Sequence, residues 1–355
     1  VRHRILVTGA GSGAGNNLIR SLRAGAPSAV IVGCHPDRFV LKKSGADVNY
    51  LVREPGHPDF EATLRRVLAR EKIDLLIPNS DGDVKAVSAF RARISSRLFL
   101  PSHALIELCQ DKYELSAFLR ARGVPAPLTY AVTDLTAIET LFDRLAAHRR
   151  LWCRVRAGGG SLGAIPVTRP EQARSWIAYW EEVRGVPATS FTISEYLPGR
   201  DFAVQALWRS GTLVLFKTCE RLSYFGGGSQ PSGVSSTPAL GKLVFDARVV
   251  DVCRAAIHAL DPRADGVFSI DLKENSDGVP CITEINAGRF CMITNIFDLT
   301  GKHNMAATYV RLALGEPVEI RDEYDVADDH YLVRDLDTLP GIFHADELFE
   351  GIRDT

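Results

Sequence analysis

The sequence is poor in the features that mark specialised partners. Its 42 basic and 43 acidic residues leave no excess of either sign, which removes nucleic acid and anionic membrane surfaces as bulk partners. No apolar run is long enough to span a bilayer. Arg2-His3-Arg4 ahead of Ile5-Leu6-Val7 fails as a secretion signal, because Thr8-Gly9 ends the apolar stretch too early. The seven cysteines are odd in number, form no CxxC pair and sit mostly among apolar residues, the pattern of buried thiols in a reducing cytoplasm. Internal repeats and low-complexity tracts are missing too. What is present is a chain of 355 residues, 46% of them apolar, enough for a large core over two or three domains and suited to small-molecule chemistry.

Two patterns divide the chain. Strands at Arg4–Thr8, Ala29–Cys34 and Asp74–Pro78 alternate with helices, the second near Asp59–Glu71, and predict an α/β parallel sheet that ends near Pro101 after a short strand at Leu98–Leu100. From Asp111 the pattern becomes α+β. Helices are expected at Lys112–Arg122, Leu135–Arg149 and Asp246–Leu260. Strands are expected near Thr129–Val132 and at Leu151–Arg156, Phe191–Tyr196, Ala203–Arg209, Thr212–Thr218, Phe268–Lys273 and Cys281–Asn286. The domains predicted are 1–105, 106–315 with a smaller unit at about 125–195, and a C-terminal piece, 316–355, with a strand at Tyr331–Arg334 and a helix at Ala345–Arg353.

The last two strands read as a hairpin turning at Asp277-Gly278. A two-residue turn there opposes Asp271 to Glu284 and Ser269 to Asn286, with all four side chains on one face. Directly opposed carboxylates lie roughly 5 Å apart at Cβ and destabilise a sheet unless their charge is offset. A divalent cation offsets it, and two carboxylates with an amide suit Mg²⁺, which keeps water and takes phosphate oxygens as well. The same acids would also be at home on a solvated sheet face.

Upstream, strand Leu151–Arg156 runs into Ala157-Gly158-Gly159-Gly160-Ser161-Leu162-Gly163 and out into a second strand. Glycines there let backbone N–H groups approach phosphate oxygens, and a strand in place of a helix excludes both a Walker loop and a dinucleotide fingerprint. Alternation puts Arg154 on one face with Trp152 and Arg156, where its charge can lie beneath the loop. Lys112 follows Asp111 at a helix start. Glu195-Tyr196-Leu197-Pro198-Gly199-Arg200-Asp201 joins a strand to a turn whose backbone can read adenine, with Asp201 accepting from ribose. Each of these also reads as an ordinary turn or a solvated charge.

Taken in order, Asp111-Lys112, Arg154 with Gly158–Gly163, Glu195–Asp201, and Asp271 with Glu284-Ile285-Asn286 resemble the ATP-grasp superfamily, closest to its carbamoyl-phosphate-synthetase-like branch. The likeness covers about 105–310, and the sheet domain before it resembles the Rossmann-like domain that precedes an ATP-grasp fold. The resemblance implies that Lys112 and Arg154 contact ATP phosphates under a loop of Gly158, Gly159, Gly160, Ser161 and Gly163. It implies that Glu195, Tyr196 and Leu197 seat adenine, that Asp201 binds ribose, and that Asp271, Glu284 and Asn286 bind Mg²⁺. Arg289 would stabilise a phosphorylated intermediate. Such enzymes activate a carboxylate as an acyl phosphate for attack by an amine, so small-molecule acid and amine substrates are implied; the oligomer is left open, a homodimer included.

The chain departs from the pattern in three places. Arg154 stands where many members carry Lys, although the carbamoyl-phosphate-synthetase-like branch uses Arg. The usual Asn-Pro-Arg is Asn286-Ala287-Gly288-Arg289, one residue longer. Residues 218–238 match no family pattern; with Lys217, Glu220 and Arg221 they are expected to close over the acceptor substrate, so Lys217 and Arg221 join Arg289 as expected catalytic groups. Pro78-Asn79-Ser80-Asp81 is a further candidate for substrate contact. Gly9–Gly15 after the first strand motivates a second reading, an NAD(P)-dependent oxidoreductase, but no acid ends the second strand; Asp37 lies beyond its tip. A third reading is a nucleotide-binding protein without turnover.

Overall fold

The computed structural model describes residues 2–235, 237–335 and 341–347. The chain opens with β1 (Arg4–Thr8), β2 (Val30–His35), β3 (Val48–Leu51) and β4 (Leu75–Ile77), ordered β3-β2-β1-β4 and all parallel. Helices α1 (Gly13–Gly25), α2 (Arg38–Leu41), α3 (Phe60–Glu71) and α4 (Asp81–Ala89) connect and follow them. Ile5, Leu6 and Val7 are all buried, as a parallel strand covered on both faces requires. Strand β3 carries no apolar alternation and was not foreseen. Leu98–Leu100, expected as a strand, forms none: the backbone just before it bridges the sheet at Arg97 to Leu75, and Leu98 and Leu100 pack on the apolar cluster of Leu6, Val32 and Leu76.

Helices α5 (His103–Gln110) and α6 (Lys112–Arg120) lead into a small four-stranded sheet. It is built of β5 (Thr129–Ala131), β6 (Leu151–Val155), β7 (Ile165–Val167) and β8 (Phe191–Glu195), ordered β5-β8-β6-β7. With α7 (Ile138–Arg144) and α8 (Pro170–Arg184) it encloses its own core, including Ile138, Cys153, Ile177 and Phe191. We call this unit the lid.

The largest sheet takes β9 (Asp201–Arg209), β10 (Thr212–Tyr224), β11 (Pro238–Leu243), β12 (Gly266–Glu274), β13 (Pro280–Ala287), β14 (His330–Val333) and β15 (Gly341–His344) in the order β13-β12-β9-β10-β11-β14-β15. Helices α9 (Ala247–Leu260), α10 (Thr294–Thr300) and α11 (Met305–Leu314) complete it. β10 runs six residues past the expected strand end at Thr218, through 219–224, which matched no pattern, and residues 316–335 add β14 to the sheet. Of the C-terminal helix expected at Ala345–Arg353, residues 345–347 form a 3₁₀ turn and the rest lies outside the described residues. Ile5, Val7, Leu18 and Ile77 share one apolar cluster with Leu207, Phe290, Met305 and Tyr309, so packing is continuous across residue 105.

The hairpin turn differs from expectation. Asn275 to Val279 form a five-residue loop in which the Asn275 side chain accepts from the Asp277 and Val279 N–H groups, and pairs next to the loop are Glu274 with Pro280 and Lys273 with Cys281. A bulge at Thr283 then restores the expected register, opposing Asp271 to Glu284 and Ser269 to Asn286.

Candidate active site

A cavity of about 330 Å³ lies between the lid, the β12–β13 hairpin and the first turn of α1. The lid lines it with Trp152, Arg154, Gly158, Gly159, Gly160 and Ser161; the strand end after β8 adds Glu195, Tyr196 and Leu197. The large sheet contributes Asp201, Arg221, Asp271, Glu284, Asn286 and Arg289, and α6 contributes Lys112.

Each part is held by local chemistry. Asp111 caps α6, accepting from the N–H groups of Tyr113 and Glu114, and Arg156 anchors that carboxylate. Buried Lys112 is thereby presented to the Gly158 carbonyl at 2.5 Å and Glu284 at 3.4 Å. The glycine loop reaches left-handed backbone at Gly158, Gly160 and Ser161, and a Cβ at Gly158 or Gly160 would meet nothing within 4 Å, which leaves space beside the loop. Gly163 does not line the cavity. It packs behind the loop against Val155 and Phe191.

Arg154 donates to the Thr283 carbonyl at 3.0 Å, while its buried Nε finds no partner among the described residues. Arg221 bonds Asp201 and, at 2.9 Å, Asp271. Tyr224 also donates to Asp201. Arg289, despite the extra residue before it, reaches the site: its Nη2 donates to Asn286 at 2.7 Å and its Nε to Asp81 at the start of α4. The Glu195 carboxylate folds back onto the Leu128 N–H, and among the described residues no hydrogen bond engages the Leu197 N–H.

Burial raises the pKa of Asp271, Glu284 adds to the rise, and Arg221 opposes it. Burial also pushes Glu284 up, but Lys112, Arg154 and Arg289 more than offset this and hold it below the usual carboxylate range. The facing acids are thus unequal, a common state for coupled carboxylates. Among the described residues no three His, Cys, Asp or Glu side chains gather as a metal cluster. The hairpin offers two carboxylates and one amide oxygen, and that all-oxygen set fits Mg²⁺ completed by water and ligand oxygens.

Lys217 stands apart from this group. It is fully buried, bonded to Asp298, Asp325 and the carbonyls of Phe297 and His303, and its expected role with the substrates is not supported by its position. Sequence reasoning did not single out Lys273 or Tyr224, which also line the cavity; three residues after Arg221 on a strand end, Tyr224 left no signal of its own. It grouped Asp81 only with a general substrate loop.

The Gly9–Gly15 turn is covered at Gly11, where a Cβ would fall 2.0 Å from the Val40 carbonyl, while Gly13 is exposed. Asp37, the acid beyond the tip of the second strand, is engaged in capping α2. The acid that the oxidoreductase reading needs for a ribose is thus already occupied.

No protein-family model and no curated protein matches the sequence. Solved structures do match. An L-amino acid ligase from Bacillus licheniformis superposes with a TM-score of 0.66 at 14% identity, over 93% of this chain and 79% of the other. A biotin carboxylase from Campylobacter jejuni, solved with a β,γ-ATP ligand, gives 0.71 at 13% identity over 93% and 75%. A carboxyaminoimidazole ribonucleotide synthase from Aspergillus clavatus complexed with ATP gives 0.67 at 14% identity over 94% and 81%. The chain has the ATP-grasp fold.

Proposed function

We propose that this chain is an ATP- and Mg²⁺-dependent ligase that activates a carboxylate as an acyl phosphate and passes the acyl group to an amine, forming a C–N bond. The observation that carries this reading is the convergence, in one cavity, of a glycine loop, two cations beneath it and an oxygen-donor pair on the facing hairpin. The fold shared with ATP-dependent ligases agrees with it. Five cations (Lys112, Arg154, Arg221, Lys273, Arg289) face five carboxylates (Asp81, Glu195, Asp201, Asp271, Glu284). No surplus is left to balance a triphosphate, so a divalent ion belongs to the bound state.

In this reading Leu197 offers its unbonded N–H and Glu195 its carbonyl to adenine, beside Trp152 and Tyr196, whose rings lie 6.0 Å apart. Asp201 keeps lone pairs for ribose beyond those used by Arg221 and Tyr224. Lys112, Arg154 and the N–H groups of Gly158–Ser161 hold the phosphates, and Asp271, Glu284 and Asn286 hold Mg²⁺. The metal supplies charge neutralisation to the transferred phosphoryl group. Arg289, fixed by Asp81 and Asn286, faces charge that develops on the acid, and the glycine loop excludes water that would hydrolyse the acyl phosphate. The acid and amine are small molecules, and the seven unbridged cysteines suit a cytoplasmic setting.

Hydroxylamine traps an acyl phosphate whatever the natural amine is. ATP and Mg²⁺ with pooled carboxylic acids should release phosphate and form a hydroxamate, and Glu284→Gln should lower release at least about 100-fold while the protein stays folded. An unchanged rate in Glu284→Gln would remove the metal assignment.

A further inference from the structure

Away from the adenine end, three stretches of chain that take no part in the nucleotide contacts above close the cavity. Ala14 comes from the first turn of α1, Val234 and Ser235 from the loop after β10, and Met292 and Ile293 from the turn after β13. This wall is mostly apolar. Four of the lining cations are committed elsewhere, Lys112 to Glu284, Arg154 to the Thr283 carbonyl, and Arg221 and Lys273 to Asp201, whereas Arg289 is bonded to Asp81 and Asn286 through Nε and Nη2 and keeps Nη1 for a ligand.

Met292 spans this end. Its backbone carbonyl accepts from Arg334 Nη2 at 2.7 Å, which fixes the main chain. Its sulfur accepts from Thr237 Oγ1 at 3.3 Å, and its methyl lies so close to α1 that a Cβ at Gly13 would come within 2.5 Å of it. The side chain thus bridges the entry to β11 and the first turn of α1. An unbranched thioether adapts its rotamers at little cost, so this is the adjustable part of an otherwise fixed wall.

We propose that Met292 is the specificity-determining residue for the acid: with Ala14 and Val234 it selects a monocarboxylic acid bearing a compact apolar group. The carboxylate points to Arg289 and the apolar group to Met292. None of the residues that line this end is cationic, and Arg334 lies behind the Met292 carbonyl and outside the lining, so a second carboxylate or a phosphate on the acid would be desolvated here without a cation in contact, which is costly. This inference rests on the ligase reading.

The test is hydroxamate formation from graded unbranched and branched monocarboxylic acids, beside dicarboxylic and phosphorylated acids of equal length. Wild type should favour compact monocarboxylic acids by about tenfold or more in kcat/KM. Met292→Ala removes three heavy atoms from the wall and should move the optimum to longer acids, changing the long-to-short ratio about tenfold. Gly13→Ala should push the methionine methyl into the cavity and move the optimum the other way; adding Met292→Ala to it should restore the long-acid profile. Met292→Leu, close in volume, should keep the wild-type preference and guards against a folding artefact. A length optimum unmoved in both Met292→Ala and Gly13→Ala, or a wild type that prefers dicarboxylic or phosphorylated acids, overturns the proposal. If no acid of any class yields a hydroxamate, the ligase reading fails instead. Calorimetric binding of the same acids with a non-hydrolysable ATP analogue then decides Met292 separately, since a binding preference that does not shift in Met292→Ala rejects it.

Discussion

Thr283 is the extra residue of the β12–β13 ladder, and its carbonyl oxygen accepts from Arg154 at 3.0 Å. Asp271 opposes Glu284 and Leu272 opposes Ile282, so Thr283 has no counterpart. Its hydroxyl donates to the Asp271 carbonyl. The bulge therefore does two things: it returns both carboxylates to one face, and it turns a backbone acceptor toward the cation brought by the lid.

The unequal acids have opposite effects on stability. A carboxyl whose folded pKa is raised destabilises the folded state as pH climbs past its unfolded value, about 3.9 for Asp. A carboxyl held low contributes stability above its unfolded value, about 4.3 for Glu, and loses it as pH falls through the folded pKa. Asp271→Asn removes a penalty and should raise the melting temperature of nucleotide-free protein at pH 7 by about 2–4 °C, the gain vanishing toward pH 4. Glu284→Gln should melt lower than wild type at pH 7 and converge with it in acid. Thermal melts at both pH values check this; an Asp271→Asn protein that melts lower at pH 7 would mean that Arg221 needs the charge more than burial opposes it.

Lys217 is a buried cation shared by two carboxylates, Asp298 at 2.9 Å and Asp325 at 3.1 Å. Lys217→Met leaves both acids uncompensated and should cost about 3–5 kcal/mol of stability. Phosphate release per folded molecule, measured at 20 °C, should stay within about twofold of wild type, inside the range of ordinary surface changes. A large loss of turnover with no change in melting temperature would return Lys217 to the chemistry.

Asp81 fixes the guanidinium of Arg289 from the preceding domain. Asp81→Ala should let Arg289 drift and lower kcat by about 10–100-fold, with KM for ATP changed less than about twofold because the nucleotide end is untouched. Steady-state kinetics in ATP and in acid separate the two. A change confined to KM for ATP would place Asp81 on the nucleotide.

Much of the cavity lining was legible because it lies on single strands and turns, where spacing alone sets neighbours. Asp271 and Glu284 came out opposed even though the turn was misread, since the five-residue loop and the bulge at Thr283 shift the register by one in opposite senses. Lys217 was misplaced for a geometric reason. It shares a strand face with Arg221, but four residues of β10 separate them by roughly 13 Å, and alternation reports the face without reporting how far the cavity extends. Asp81 reaches Arg289, and the first turn of α1 reaches Met292, only through packing between segments over 200 residues apart, which no local pattern records. Strand β3 escaped notice because three of its four residues are exposed, so it carries no apolar period.

The two walls of the cavity are held by different forces. The lid has its own core, and bonds that tie its loop and β6 to the rest include Arg154 to Thr283, Lys112 to Gly158 and Arg156 to Asp111. Water can take up such bonds when they part. The α1 wall is continuous with the apolar cluster that joins the first sheet to α11, and water cannot replace those contacts. Nucleotide exchange should thus respond to ionic strength, while the choice of acid should be indifferent to salt and sensitive to a single methyl group.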